Sequence, residues 1–258
     1  MRNLLILLLF LIVSLPVGAQ TQQTVALLNK GVKLCRKSLP VTMGAIVVDG
    51  ISLADDVLAV HCSVQDDTLS VETVCRTVSS PLERQPFVTS LLAGGNISDS
   101  ILVASKSHVR VTFDGVGSHL RRELFVPSDV VARDYAASCA RDSVHRVVEL
   151  MCKALPRTLG NGLVLTSISA DASCVIYRVR TDNPNLSIPM LQLVKNTCHD
   201  MEDSILEGFV QATDDSTVRF RTHLLMAGLD VKYVYWSNSS TDQVEFVVTS
   251  DEIRNGLK

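Results

Sequence analysis

The sequence predicts an α+β protein of two tandem repeats, each a four-stranded antiparallel sheet with helices packed on one face, in the order α-β-β-α-β-β. Three ordered matches within the chain carry this reading. Leu39-Pro40 recurs as Leu155-Pro156, Leu69-Ser70-Val71 as Leu186-Ser187-Ile188, and Glu123–Asp129 as Glu245–Asp251. Their offset drifts from 116 to 122 residues, as insertions in surface loops make it drift. In both halves, stretches of helical spacing give way to two-residue alternation and back again.

Before the first unit lies a leader. Met1-Arg2-Asn3 supplies one positive charge, Leu4 to Val13 is a short aliphatic run, Pro16 breaks the helix, and Val17-Gly18-Ala19 offers small residues at the two positions a signal peptidase reads. These are the parts of a secretory signal peptide, with cleavage expected after Ala19. The apolar run falls short of the roughly 20 residues a bilayer span needs, and no later stretch is apolar for long enough. No cysteine stands near the junction, so a lipid anchor is not expected. The expected location is therefore periplasmic or secreted. The mature chain divides into repeats at 20–130 and 131–258, joined near Asp129–Asp134.

Each element follows in turn. Val25, Leu28, Val32, Cys35 and Leu39 form one helical stripe that Pro40 ends, and Val144, Val147, Val148, Met151 and Leu155 form another that Pro156 ends. Leu58, Val60, Cys62 and Val64 alternate with Ala59, His61 and Ser63 as a half-buried strand, with Ala45 to Leu53 as its hairpin partner. In the second repeat Val175, Tyr177 and Val179 oppose Ile176, Arg178 and Arg180. The middle of each repeat reads as helix, over Ser98–Ser107 and over Leu186–Ala212. Thr217–Leu225 could alternate as a strand. The capping residues Asp215 or Ser216 before it and Gly228 after it favour a short helix. Two strands close each repeat: Val109 to Phe113 with Leu120 to Val126, and Leu229 to Tyr235 with Val244 to Val248.

Leu155-Pro156, Tyr177, Cys198, Gly228 and Tyr233-Val234-Tyr235 together resemble a pattern of uncharacterised exported bacterial proteins, and the arrangement resembles PepSY and β-lactamase-inhibitor-protein-like modules. The resemblance covers residues 145–250. The first repeat departs from it, with Phe113 where Tyr235 would stand and Cys75 a looser match to Cys198. It implies a fold and export, and no catalytic residue.

Composition bounds the function. The chain is 47% hydrophobic and 20% charged, enough for packed cores, and its net charge of −3 argues against a dedicated nucleic-acid binder. There is no metal-ligand histidine spacing, phosphate loop or dinucleotide fingerprint, and no cofactor is expected. Gly115-Val116-Gly117-Ser118-His119 lacks the final glycine of a nucleophile elbow and lies between strands, so it reads as a hairpin turn. Cys198-His199-Asp200 sets three reactive residue types in a row, but neighbours on a helix diverge by about 100° and form no relay.

All seven cysteines lie after the leader. Cys35 with Cys75, and Cys152 with Cys198, could staple helix to helix in each repeat, each bridge contributing roughly 2–4 kcal/mol. The alternative is that they are small buried hydrophobes. Arg110, Arg121, Arg122, Arg178, Arg180 and Lys232 fall on strands and could form an anion-facing surface, or be ordinary charges on the wet side of a sheet. The leading functional expectation is a non-catalytic binding or interaction protein with an extracytoplasmic partner. The alternatives are an enzyme assembled only in the fold, for instance from Cys198 or His223 with a carboxylate, and a structural envelope component.

Overall fold

A computed structural model describes residues 17–65, 69–95, 97–197 and 200–258. Most of the leader, Met1–Pro16, and the residues Cys198 and His199 lie outside the described residues. Val17–Ala19 belong to the first helix. The chain divides into two units, Met1–Tyr135 and Ala136–Lys258, a few residues beyond the boundary expected at 130/131.

The first unit opens with α1 (Val17–Ser38), whose Leu28, Val32 and Cys35 are buried one turn apart. Proline cannot continue a helix, and the chain leaves α1 through a cis Leu39-Pro40 bond. Strand β1 (Val41–Met43) turns at Gly44, φ +62°, into β2 (Ile46–Ala54). Asp55 and Asp56, both at positive φ, make the tight two-residue link to β3 (Val57–Val64). Helices α2 (Val71–Ser79), α3 (Pro81–Ala93) and α4 (Asp99–Ala104) then carry the chain back to β4 (His108–Gly115), which turns into β5 (Arg121–Val126). Gly115-Val116-Gly117-Ser118-His119 is a hairpin connection, with the Gly115 N–H donating to the Leu120 carbonyl at 2.8 Å.

In the second unit, α5 (Ser128–Cys152, its residues to Tyr135 counted with the first) leads through cis Leu155-Pro156 to β6 (Arg157–Gly160), β7 (Leu163–Ala170) and β8 (Cys174–Thr181). A 3-10 turn (Pro184–Leu186), α6 (Ile188–Thr197), α7 (Asp200–Val210) and α8 (Asp215–Ala227) precede β9 (Asp230–Ser237), β10 (Ser240–Val248) and α9 (Ser250–Gly256). Thr217–Leu225 is thus helical. The Asp214 carboxylate caps α8 by accepting from the Thr217 N–H, and Gly228 ends it at φ +66°.

Both sheets have five strands, in the orders β1-β2-β3-β4-β5 and β10-β9-β8-β7-β6. The expected four antiparallel strands are corrected in two ways. A short first strand is added in each unit, and the central pairs β3/β4 and β8/β9 run parallel. The helical crossover returns the chain to the starting end of the sheet, and such a return gives parallel neighbours. The single expected helix over Leu186–Ala212 is likewise divided into the 3-10 turn, α6 and α7.

One side of each sheet is core. Leu58, Val60, Cys62 and Val64 of β3 lie with Val109, Val111 and Phe113 of β4 in one buried cluster with Leu28 and Leu92. In the second unit Val175, Tyr177 and Val179 lie with Val231, Tyr235, Phe246 and Leu224 in another. Each large side chain so buried contributes about 1.5–3 kcal/mol. Corresponding details recur. The Ser128 N–H donates to His108 Nδ1 at 3.0 Å in the first unit, and the Ser250 N–H to Asp230 Oδ1 at 2.8 Å in the second. No helix among the described residues is long and apolar enough to cross a membrane.

Candidate functional site

The side of each sheet away from its core carries polar side chains, and the matched registers allow the two to be compared position by position. The ladder of β2 with β3 is interrupted between Val48 and Gly50, and that of β7 with β8 between Leu165 and Ser167. Such a bulge leaves one residue unpaired and re-aims it. The residue at the interruption is Asp49 in the first unit and Thr166 in the second. Near each bulge a side chain from the preceding helix reaches the same strand carbonyl. Arg36 Nε donates to Ile51 O at 2.7 Å, and Cys152 Sγ to Ile168 O at 3.1 Å. A cross-strand ion pair is also kept, Arg110–Glu123 at 3.3 Å and Lys232–Glu245 at 3.1 Å.

What differs is the group on display. In the first unit His61 stands between two carboxylates, with Nε2 2.7 Å from Asp114 Oδ2 and Nδ1 3.8 Å from Asp49 Oδ2. The Ser63 hydroxyl donates to Asp49 Oδ2 at 2.5 Å, and Arg121 Nε lies 3.7 Å from Asp114 Oδ1. Beside them runs an open groove of about 600 Å³ lined by Arg36, Leu39, Pro40, Asp49, His61 and Thr112, among others. Burial first, and the Asp49 carboxylate second, push the Cys62 thiol up to about 12, so it stays protonated behind the sheet.

This arrangement contains serine, histidine and aspartate but not a serine relay. A relay needs the hydroxyl on the imidazole, whereas Ser63 is turned to Asp49 and both ring nitrogens of His61 face carboxylates. It can hold a ligand by hydrogen bonds and charge; it does not aim a nucleophile. Sequence reading placed His61 and Ser63 on the outward phase of their strand. It missed Asp49 and Asp114, because their approach depends on a bulge and on a strand residue 53 positions away.

In the second unit the corresponding positions hold Thr166, Arg178, Arg180 and Trp236. Trp236 Nε1 lies 3.4 Å from Thr166 Oγ1, and Arg180 pairs with Asp182 at 3.0 Å. Arg178 is exposed and has no ion-pair partner among the described residues. A hydrogen bond and the charge of Glu245 raise the Lys232 ammonium above its ordinary value, fixing its positive charge.

The expected anion-facing residues therefore fall into two sets. Arg110, Arg121, Arg180 and Lys232 are each paired with a carboxylate on these faces, leaving Arg178 without an ion-pair partner among the described residues. Arg122 faces the other side, toward α2, where it meets Glu72 at 2.6 Å. Cys35, Cys75 and Cys152 are free thiols, as are Cys62, Cys139 and Cys174; Cys198 lies outside the described residues. Cys35 is buried with Sγ toward Leu91 O, while Cys152 occupies the place that Arg36 holds in the first unit. His223 lies on α8 with its Nδ1 buried and unpartnered among the described residues, so no carboxylate relay forms on that nitrogen. No group of three His, Cys, Asp or Glu side chains among the described residues could hold a metal ion.

Fold and faces together define a tandem α+β protein with two diverged polar sheet surfaces. In comparison with known proteins, the chain matches no protein-family model, no curated protein and no solved structure.

Proposed function

We propose that the protein is an exported, non-catalytic binding protein whose two sheet faces engage an extracytoplasmic partner. The observation that carries this is the pattern of divergence. The bulge, the registers of the three central strands and the Arg110–Glu123 and Lys232–Glu245 pairs recur, whereas His61, Ser63 and Asp114 give way to Arg178, Arg180 and Trp236. A scaffold held constant under changing display suits recognition, and two linked faces gain from effective concentration. The resemblance of residues 145–250 to small exported modules points the same way, by analogy of fold.

The test is capture from the native extracytoplasmic fraction with the full chain and two double variants, His61→Ala with Asp114→Ala and Arg178→Ala with Trp236→Ala. A partner held by the parent chain and lost from a folded variant supports the reading. Repeated failure of correctly folded parent protein to retain any partner sinks it. The enzymatic alternative rests on the His61–Asp114 pair beside its groove, and needs a turnover that His61→Ala abolishes while the fold persists.

A further inference from the structure

We infer that the second unit holds a separate binding site for a neutral, polyhydroxylated ligand of saccharide type, at the carboxyl ends of β8 and β9. This site does not depend on the partner reading. A parallel pair whose following segments depart differently leaves a crevice at its carboxyl ends. Here the chain leaves β8 toward the 3-10 turn and α6, and leaves β9 through a tight turn into β10. The crevice between them has a volume of about 550 Å³, within the range of small-ligand sites.

Its lining is the second observation. Thr181, Ser187, Ser237, Ser239 and Ser240 bring hydroxyls, Asn183 and Asn238 bring amides, Asp182 brings a carboxylate, and only Ile188 and Pro189 are apolar. Hydroxyls and amides both donate and accept, as each hydroxyl of a sugar does. Arg180 neutralises Asp182, so the crevice carries no uncompensated charge for an ionic ligand. Ile188 is itself part of the core, and the exposed Pro189 offers one small apolar patch for the C–H face of a ring. Most lining groups also bond within the protein. The buried Thr181 Oγ1 donates to Leu186 O at 2.9 Å, and Asn183 Nδ2 donates to Asn161 O at 2.8 Å while its Oδ1 accepts from the Asn185 N–H. The Ser237 and Ser239 hydroxyls share a hydrogen bond at 2.9 Å, and Ser240 Oγ accepts from the Asp242 N–H at 3.1 Å. The side chains of Asn238 and Ser187 have no hydrogen-bond partner among the described residues.

The third observation is that strand pairing does not require polar residues at the ends of β8 and β9. Register places Val64 of the first unit where Thr181 stands, and Gly115 and Val116 where Ser237 and Asn238 stand. At these positions the first unit pairs its strands with apolar or glycine residues, whereas Ser187 and Ile188 keep their counterparts in Ser70 and Val71.

The experiment titrates the isotopically labelled full chain with maltotriose, cellotriose, chitotriose and mannotriose, with glycerol and inorganic phosphate as controls, and follows backbone amide resonances. At least one trisaccharide at millimolar concentration should shift amides of 181–188 and 237–240 and leave those of the first unit in place. Asn238→Ala sits in an exposed turn and keeps the fold; it should weaken that binding roughly three- to tenfold, the loss of one hydrogen bond. The proposal is overturned if no trisaccharide shifts these amides, if glycerol or phosphate does so equally, or if Asn238→Ala binds unchanged.

Discussion

Arg84 and Asp134 offer the sharpest test of how the first unit is held. Their side chains are 11% and 4% exposed, with Arg84 Nε donating to Asp134 Oδ2 at 2.6 Å. Arg84 also donates from Nη1 to Ser79 O at 2.8 Å, so one guanidinium joins the end of α2, the first turn of α3 and the start of α5. Removing one partner of a buried pair leaves the other charge stranded, which costs about 3–5 kcal/mol. Asp134→Asn, which keeps the shape and a neutral acceptor, should fall near 3 kcal/mol. At a urea slope of about 1.5 kcal/mol per molar, that lowers the midpoint of the first unit by about 2 M. Arg84→Met with Asp134→Leu, which removes both charges, should land within about 1 kcal/mol of the parent or above it. The reading must come from hydrogen exchange resolved by peptide, because Trp236 lies in the second unit and its emission does not report on the first. A cost under about 1 kcal/mol for Asp134→Asn, or a double variant as unstable as the two single losses combined, would refute the reasoning.

Three further outcomes follow from named contacts. A Cβ added at Gly95 would lie 2.5 Å from both Gly31 O and Cys35 Sγ, whereas one at Gly94 meets nothing within 4 Å. Gly95→Ala should therefore cost about 1–3 kcal/mol by overpacking, and Gly94→Ala should leave the urea midpoint nearly unchanged. The Ser216 hydroxyl, then the Thr217 N–H, hold the Asp214 carboxyl down to about 2. A depressed carboxyl stabilises the folded state above its unfolded value, so protection of the α8 amides should fall as pH drops from about 4 to about 2. Asp214→Asn should flatten that dependence. Thr249 and Glu252 form a reciprocal capping box at the start of α9, and Thr249→Ala should lower stability of the second unit by about 1 kcal/mol in thermal unfolding.

The parts of the fold legible in sequence were those set by local period. The alternation around Val60 and Val179, the stripes of α1 and α5 and the glycine end of α8 all impose their pattern on consecutive residues. Strand β1 left no such mark, since three residues are too few to show a period. The parallel pairing was hidden for a different reason: alternation fixes which side a residue faces, not the direction of the neighbouring strand. The site was less legible still. His61 could be placed outward from its own strand, but Asp49 reaches it through a bulge and Asp114 through a ladder formed across the crossover. The cysteines show the limit of matching by residue type, because structural register sets Cys152 against Arg36 rather than against Cys35.

The bulge at Asp49 and Thr166 has a consequence for how such a chain can change. A strand residue in regular pairing is bound by the two-residue period, so exchanging it across the apolar boundary disturbs the packed interior. An unpaired residue is released from that rule, and its identity answers to neighbours on the solvent side. After a duplication this is a position where the copies can drift apart without cost to folding. It works as a socket: the frame tolerates a carboxylate in one copy and a hydroxyl in the other, and a protein engineer seeking a third chemistry would begin there.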